Sequence, residues 1–100
     1  MGKDIYNSIY SNIFKNQKTM KQLIYFSAVW CGPCATLGPI MDQISTENGA
    51  HVTKVDVDAN QDLTKKYHIK AIPTVLILDK GQEVSRFTGV KSKNDILALL

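Results

Sequence analysis

The order of elements along this chain predicts an α/β fold, a mixed central sheet of about four strands with four helices distributed over both faces. Three observations carry that prediction. Short, continuously apolar runs occupy Leu23 to Val29 and Thr74 to Leu78, segments of helical periodicity lie before, between and after them, and Asp79-Lys80-Gly81 turns the second run straight into another extended segment. Apolar runs of strand length suit strands covered on both faces. Strands separated by helices, then a hairpin and a last helix, fit helices packed on two sides of one sheet. One hundred residues, 44% of them apolar, suit a single domain over residues 1–100 around one core.

From Asp4 to about Lys15, Ile5, Ile9 and Ile13 recur every four residues beside Tyr6, Tyr10 and Phe14, an apolar stripe that predicts a first helix. A polar connector, Asn16 to Lys21, leads into Leu23 to Val29, expected as a central strand. Cys34 to about Glu47 reads as the second helix, with Leu37, Ile40, Met41 and Ile44 on one side and Asn48-Gly49 as its stop. Pro39 lies inside it and predicts a kink, because proline removes a donor and crowds the preceding turn. Val52, Val55 and Val57 mark a further strand, and the side-chain oxygen of Asn60 is expected to cap a short helix over Gln61 to Tyr67. Thr74 to Leu78 and Glu83 to Thr88 should pair as an antiparallel hairpin. Ser92 with Asp95 resembles a capping box, opening a last helix that packs Ile96, Leu97, Leu99 and Leu100 on the sheet.

Twelve basic against nine acidic residues leave a formal charge of +3. It is spread with no run longer than Lys65-Lys66, too weak a field to argue for nucleic acid. No stretch approaches the roughly 20 apolar residues that cross a bilayer. The polar start Met1-Gly2-Lys3-Asp4 lacks the apolar core of a signal peptide, so no membrane role and a cytoplasmic location are expected. Gly2 does not qualify for myristoylation, since Tyr6 stands where Ser or Thr is required.

The chemistry concentrates in Trp30-Cys31-Gly32-Pro33-Cys34. A Cys-x-x-Cys that follows a buried strand and opens a helix places its first sulfur where free amides and the helix dipole favour an anion. The thiolate is the attacking species in disulfide exchange, so Cys31 reads as nucleophile and Cys34, one turn on, as resolving thiol, with Gly32 and Pro33 shaping the turn. Zinc is the first rival, but it takes four ligands. Two cysteines are present, and His51 and His68 have no paired spacing with them, so no metal is expected. The second rival is a structural staple, which in so small a loop stabilises by only about 2 kcal/mol.

The runs Phe26-Ser27-Ala28-Val29-Trp30-Cys31-Gly32-Pro33-Cys34, Pro39, Ala71-Ile72-Pro73-Thr74, Gly81 and Gly89 make residues 22 to 100 resemble the thioredoxins. The resemblance implies the thioredoxin fold and a protein-disulfide reductase. It implies a cis peptide bond before Pro73, facing the cysteine pair, with Ile72-Pro73 offering backbone hydrogen bonds to an extended substrate in a form of strand addition. Trp30, Ile72, Gly89 and Val90 match positions that ring the sulfurs, and with Gly32, Pro33 and Pro73 they make up the implied substrate-binding surface. The implied partners are disulfide-containing proteins and a thioredoxin reductase that returns electrons from NADPH, so no bound cofactor is expected beyond the Cys31-Cys34 couple. A monomer is expected.

Two departures stand out. Tyr25 occupies the place where many thioredoxins carry a buried aspartate assigned to proton transfer with the second cysteine, so the deprotonation of Cys34 is expected to differ. Lys54 matches the family's lysine near that aspartate and is kept as a site residue, against the plain alternative of a solvated strand lysine. The family's usual opening strand has no room ahead of Ile5, which predicts four principal strands. Tyr67 and His68 are read as covering a short helix, and Asp56 and Asp58 as turn residues. Two other functions fit the chain. One is an exported thiol-disulfide oxidoreductase with a trimmed signal, and the other is a thioredoxin-fold binding module whose redox activity is incidental.

Overall fold

The computed structural model describes residues 21–100. The first helix over Asp4 to Lys15 and the absence of a strand before it lie outside the described residues. Within them, four strands and three helices follow in the order β1 (Lys21–Ser27), α1 (Gly32–Asn48), β2 (His51–Asp56), α2 (Gln61–Lys66), β3 (Thr74–Asp79), β4 (Gln82–Thr88) and α3 (Lys93–Leu97). The sheet order is β2-β1-β3-β4, with β1 parallel to β2 and β3 antiparallel to both β1 and β4. The mixed sheet is therefore as the sequence predicts, and the two continuously apolar strands, β1 and β3, are its interior pair.

Strand alternation divides the core between the two faces. Leu23 and Tyr25 from β1, Val75 and Ile77 from β3 and Phe87 from β4 pack with Leu37, Met41 and Ile44 of α1 and Ile96 of α3. On the other face Phe26, Val55, Leu76 and Leu78 pack against Leu63, Tyr67 and Ile69, and the Phe26 and Tyr67 rings meet edge to face at 6.2 Å. Helices thus lie on both sides.

Some boundaries and caps follow the sequence reading, and others shift for identifiable reasons. β1 stops at Ser27 rather than Val29, and Val29 is 91% exposed, because the chain must leave the sheet to begin α1. α1 continues unbroken through Pro39 and ends on Gly49 at φ 67°, the left-handed conformation that glycine tolerates without a Cβ penalty. Asn60 does not cap α2. Its Nδ2 donates instead to the Asp56 carbonyl at 3.0 Å, while the Asp56 carboxylate accepts from the Asp58 amide at 2.9 Å, so the turn takes up the side chain that sequence assigned to the helix. Ser92 does cap α3, its hydroxyl accepting from the Asp95 amide at 3.1 Å. Lys80 and Gly81, both at positive φ, close the β3–β4 hairpin.

Leu37 has no exposed surface, so Leu37→Ala is expected to cost about 3 kcal/mol of stability through lost burial and a cavity. Ser92→Ala, which removes one cap hydrogen bond, is expected to cost about 1 kcal/mol. Urea denaturation of both variants checks the ranking.

Candidate functional site

The site forms where β1 hands over to α1. The Val57 amide donates to the Ser27 carbonyl at 2.9 Å, extending the β1–β2 pairing to the last strand residue, and the Cys31 amide donates to the Ala28 carbonyl at 3.2 Å, closing the turn through Val29 and Trp30. Cys31 takes the N-cap position with extended backbone, and its Sγ accepts from the Cys34 amide at 3.3 Å. A sulfur replaces the oxygen that usually caps a helix. Gly32 and Pro33 are the first two helical residues. Proline suits this turn because its missing donor is one the helix would leave unpaired.

Cys31 and Cys34 are joined as a disulfide, with Cα atoms 5.3 Å apart. With Ala28 they form a small buried cluster against which Val57 and Ile72 pack. No acidic residue lies in the first turn of α1, so nothing there competes with a Cys31 thiolate for the positive end of the helix dipole.

The Ile72–Pro73 peptide is cis, as the resemblance implies, and Pro73 is fully buried. The Gly89 amide donates to the Pro73 carbonyl at 2.9 Å, which ties the end of β4 to this loop. Among the described residues no hydrogen bond uses the Ile72 amide or carbonyl. Gly89 has φ 91°, a conformation that suits a residue without Cβ, and it turns the chain so that Val90 is 45% exposed.

Trp30 is 67% exposed, yet its indole is fixed, Nε1 donating to Asp58 Oδ2 at 2.7 Å. Sequence reasoning placed Asp58 only in a turn. The signal for its second role was available only as a lone exposed tryptophan needing an acceptor for its N–H. Trp30 and Ile72, with Val57 and Ile69 among others, line a groove of about 190 Å³.

A separate open cleft of about 420 Å³ is lined by Tyr25, Ser27, Cys31, Cys34, Lys54 and Asp56, among others. Tyr25 is 3% exposed and donates its hydroxyl to the Cys34 carbonyl at 2.8 Å. Burial pushes its phenol above the ordinary value, partly offset by Ser27 and by the charge of Lys54. Lys54 faces Tyr25 across the β1–β2 ladder, and its Nζ lies 2.6 Å from Asp42 Oδ1 of α1. Both partners of that pair are about half exposed or more, which makes it a weak surface ion pair. Tyr67 caps and covers the end of α2, and His68 is exposed at φ 56°. No cluster of three or more metal-binding side chains occurs among the described residues. No helix among them is long and apolar enough to cross a membrane.

A family model, that of the thioredoxins, matches residues 4–100. The chain is 38% identical over 77 residues to the thioredoxin of Mycobacterium tuberculosis, a match covering 75% of this chain and 66% of that protein. It is 34% identical over 92 residues to the bifunctional thioredoxin reductase/thioredoxin of Mycobacterium leprae, covering 90% of this chain and 20% of that protein. The chain therefore spans about two thirds of one relative and a fifth of the other. Among solved structures, a mutant thioredoxin from Halobacterium salinarum superposes with a TM-score of 0.77 at 31% identity, covering 83% of this chain and 74% of that one.

Two measurements test this geometry. Unfolded, the Tyr25 phenol ionises in its ordinary range near 10.0, whereas the folded protein holds it protonated to higher pH. The native state then binds the extra proton, so this contribution is full below the ordinary value and is lost as pH rises through the raised one. Urea midpoints should fall more steeply above about pH 10 in the wild type than in Tyr25→Phe. Trp30 is the only tryptophan, so Asp58→Ala, which frees the indole, is expected to change the intrinsic fluorescence while the far-ultraviolet circular dichroism stays the same.

Proposed function

The chain belongs to the thioredoxin family, and on that footing we propose that it is a protein-disulfide reductase, acting by dithiol/disulfide exchange as a single monomeric domain. The observation that carries this reading is the capping geometry of Cys31, whose sulfur sits at the start of α1 and accepts the Cys34 amide. An acceptor bond and the helix dipole both favour the thiolate over the thiol.

The reaction begins with the reduced pair. The Cys31 thiolate attacks one sulfur of a substrate disulfide, the substrate S–S bond breaks, and one substrate thiolate leaves and takes a proton. Cys34 then gives up its proton and attacks the Cys31 sulfur. The mixed disulfide breaks, the second substrate thiolate departs, and the protein is left with the Cys31–Cys34 bond described above. Two electrons have passed to the substrate.

The substrate segment is proposed to lie in extended form along Ile72-Pro73, whose open Ile72 amide and carbonyl offer backbone pairing without reading a sequence. Trp30, Gly32, Pro33, Gly89 and Val90 would border it. The exposed indole and Val90 supply apolar area, and the Gly89–Pro73 hydrogen bond holds the loop in place. Lys54, turned toward Asp42, would act on the cleft through its charge only.

A thioredoxin reductase drawing on NADPH is proposed to restore the dithiol. The Mycobacterium leprae relative is described as a reductase and a thioredoxin in one protein, which supports such a pairing. The Gly-Pro between the cysteines resembles that of reducing family members, and this supports a place in the reducing cytoplasm.

Insulin disulfide reduction tests the proposal, driven first by dithiothreitol and then by NADPH with a thioredoxin reductase. The wild type should be active with both. Cys31→Ser should be inactive, and Cys34→Ser should accumulate a mixed disulfide visible by mass spectrometry. A wild type inactive with dithiothreitol would overturn the reading.

A further inference from the structure

Pro39 has no amide hydrogen, so the carbonyl of Ala35, four residues earlier in α1, lacks its usual i→i−4 donor. The helix is a bond short one residue beyond the resolving cysteine. At the adjoining carbonyl the fold adds a donor from outside the helix, because the buried Tyr25 hydroxyl reaches from β1 to the oxygen of Cys34 at 2.8 Å. Gly38 stands over that hydroxyl, and a Cβ there would already lie 3.9 Å from the phenol oxygen.

We propose that Tyr25 is a positioning residue for the resolving step, fixing the Cys34 backbone through its carbonyl so that the Cys34 sulfur meets Cys31 while substrate is attached. The inference rests on the exchange reaction above. The phenol is a hydrogen-bond donor here and is not the proton acceptor, since burial keeps it protonated. The Cys34 proton passes to water in the open cleft. The charged and titratable groups facing that cleft are Tyr25 from β1 and Lys54 and Asp56 from β2, with Asp42 of α1 paired to Lys54.

The two steps separate with 5,5′-dithiobis(2-nitrobenzoate) as probe and the reduced full chain. Attack by the Cys31 thiolate breaks the reagent's S–S bond and releases one thionitrobenzoate. Attack by Cys34 on the resulting mixed disulfide releases the second and forms the Cys31–Cys34 bond. In Tyr25→Phe the first phase is expected to keep its rate, and the second to slow roughly three- to tenfold, the effect of losing one hydrogen bond. Gly38→Val, whose branches reach past that Cβ toward the phenol, should displace the hydroxyl and give the same selective slowing. A role confined to stability would lower the urea midpoint and leave the ratio of the two rates alone. An unchanged ratio in both variants, or equal slowing of both phases, would overturn the inference and leave the exchange reaction standing. A wild type without a first phase would overturn both.

Discussion

The junction between β1 and α1 sets the position of everything else in this molecule. An interior strand must end, and a helix must start within a few residues on one face of the same sheet. The turn that does so is closed by the Cys31 amide on the Ala28 carbonyl, and the helix it opens is capped by a sulfur. Unpaired amides at a helix start have to find acceptors. Meeting that need with a cysteine side chain makes the structural requirement and the chemical one the same. The apolar faces of β1 and α1 then hold the junction in register, through Leu23, Tyr25, Leu37 and Met41.

The second half of the site reaches the first through the sheet. β3 lies beside β1 in antiparallel register, so the residues just before β3 arrive next to those just after β1. Ile72 and Pro73 are therefore brought to the cysteines by strand pairing, although two helices and a strand intervene along the chain. The hydrogen bond from Gly89 adds the far end of β4 to the same edge.

Much of this was legible in the sequence. The two continuously apolar runs gave the interior strands, Gly49 and Lys80-Gly81 gave a helix end and a turn, and Cys31 and Cys34 gave the chemistry, because each rests on local periodicity or local backbone preference. The roles of Asp58, Asn60 and Tyr25 rest on partners far along the chain or on competing local turns. Asp58 finds Trp30 across 28 residues, and Asn60 is drawn to the Asp56 carbonyl instead of to its own helix. Tyr25 stood out in the sequence as the residue in the place of an aspartate, with an expected effect on how Cys34 loses its proton. Its reach to the Cys34 carbonyl depends on how α1 lies across β1, which no local pattern encodes.

The irregularity in the β3–β4 ladder has a bearing on how the protein behaves in company. The register slips between Ile77 and Leu78, leaving Val84 as the extra residue of β4, half exposed at the sheet margin. Such a slip bends and twists the outer strand. A row of backbone groups bent in this way is a poor template for a strand from another molecule. At the opposite margin of the described sheet β2 turns His51, Thr53 and Lys54 to solvent. The margins of the described sheet thus discourage the indiscriminate edge-to-edge stacking that leads to aggregates.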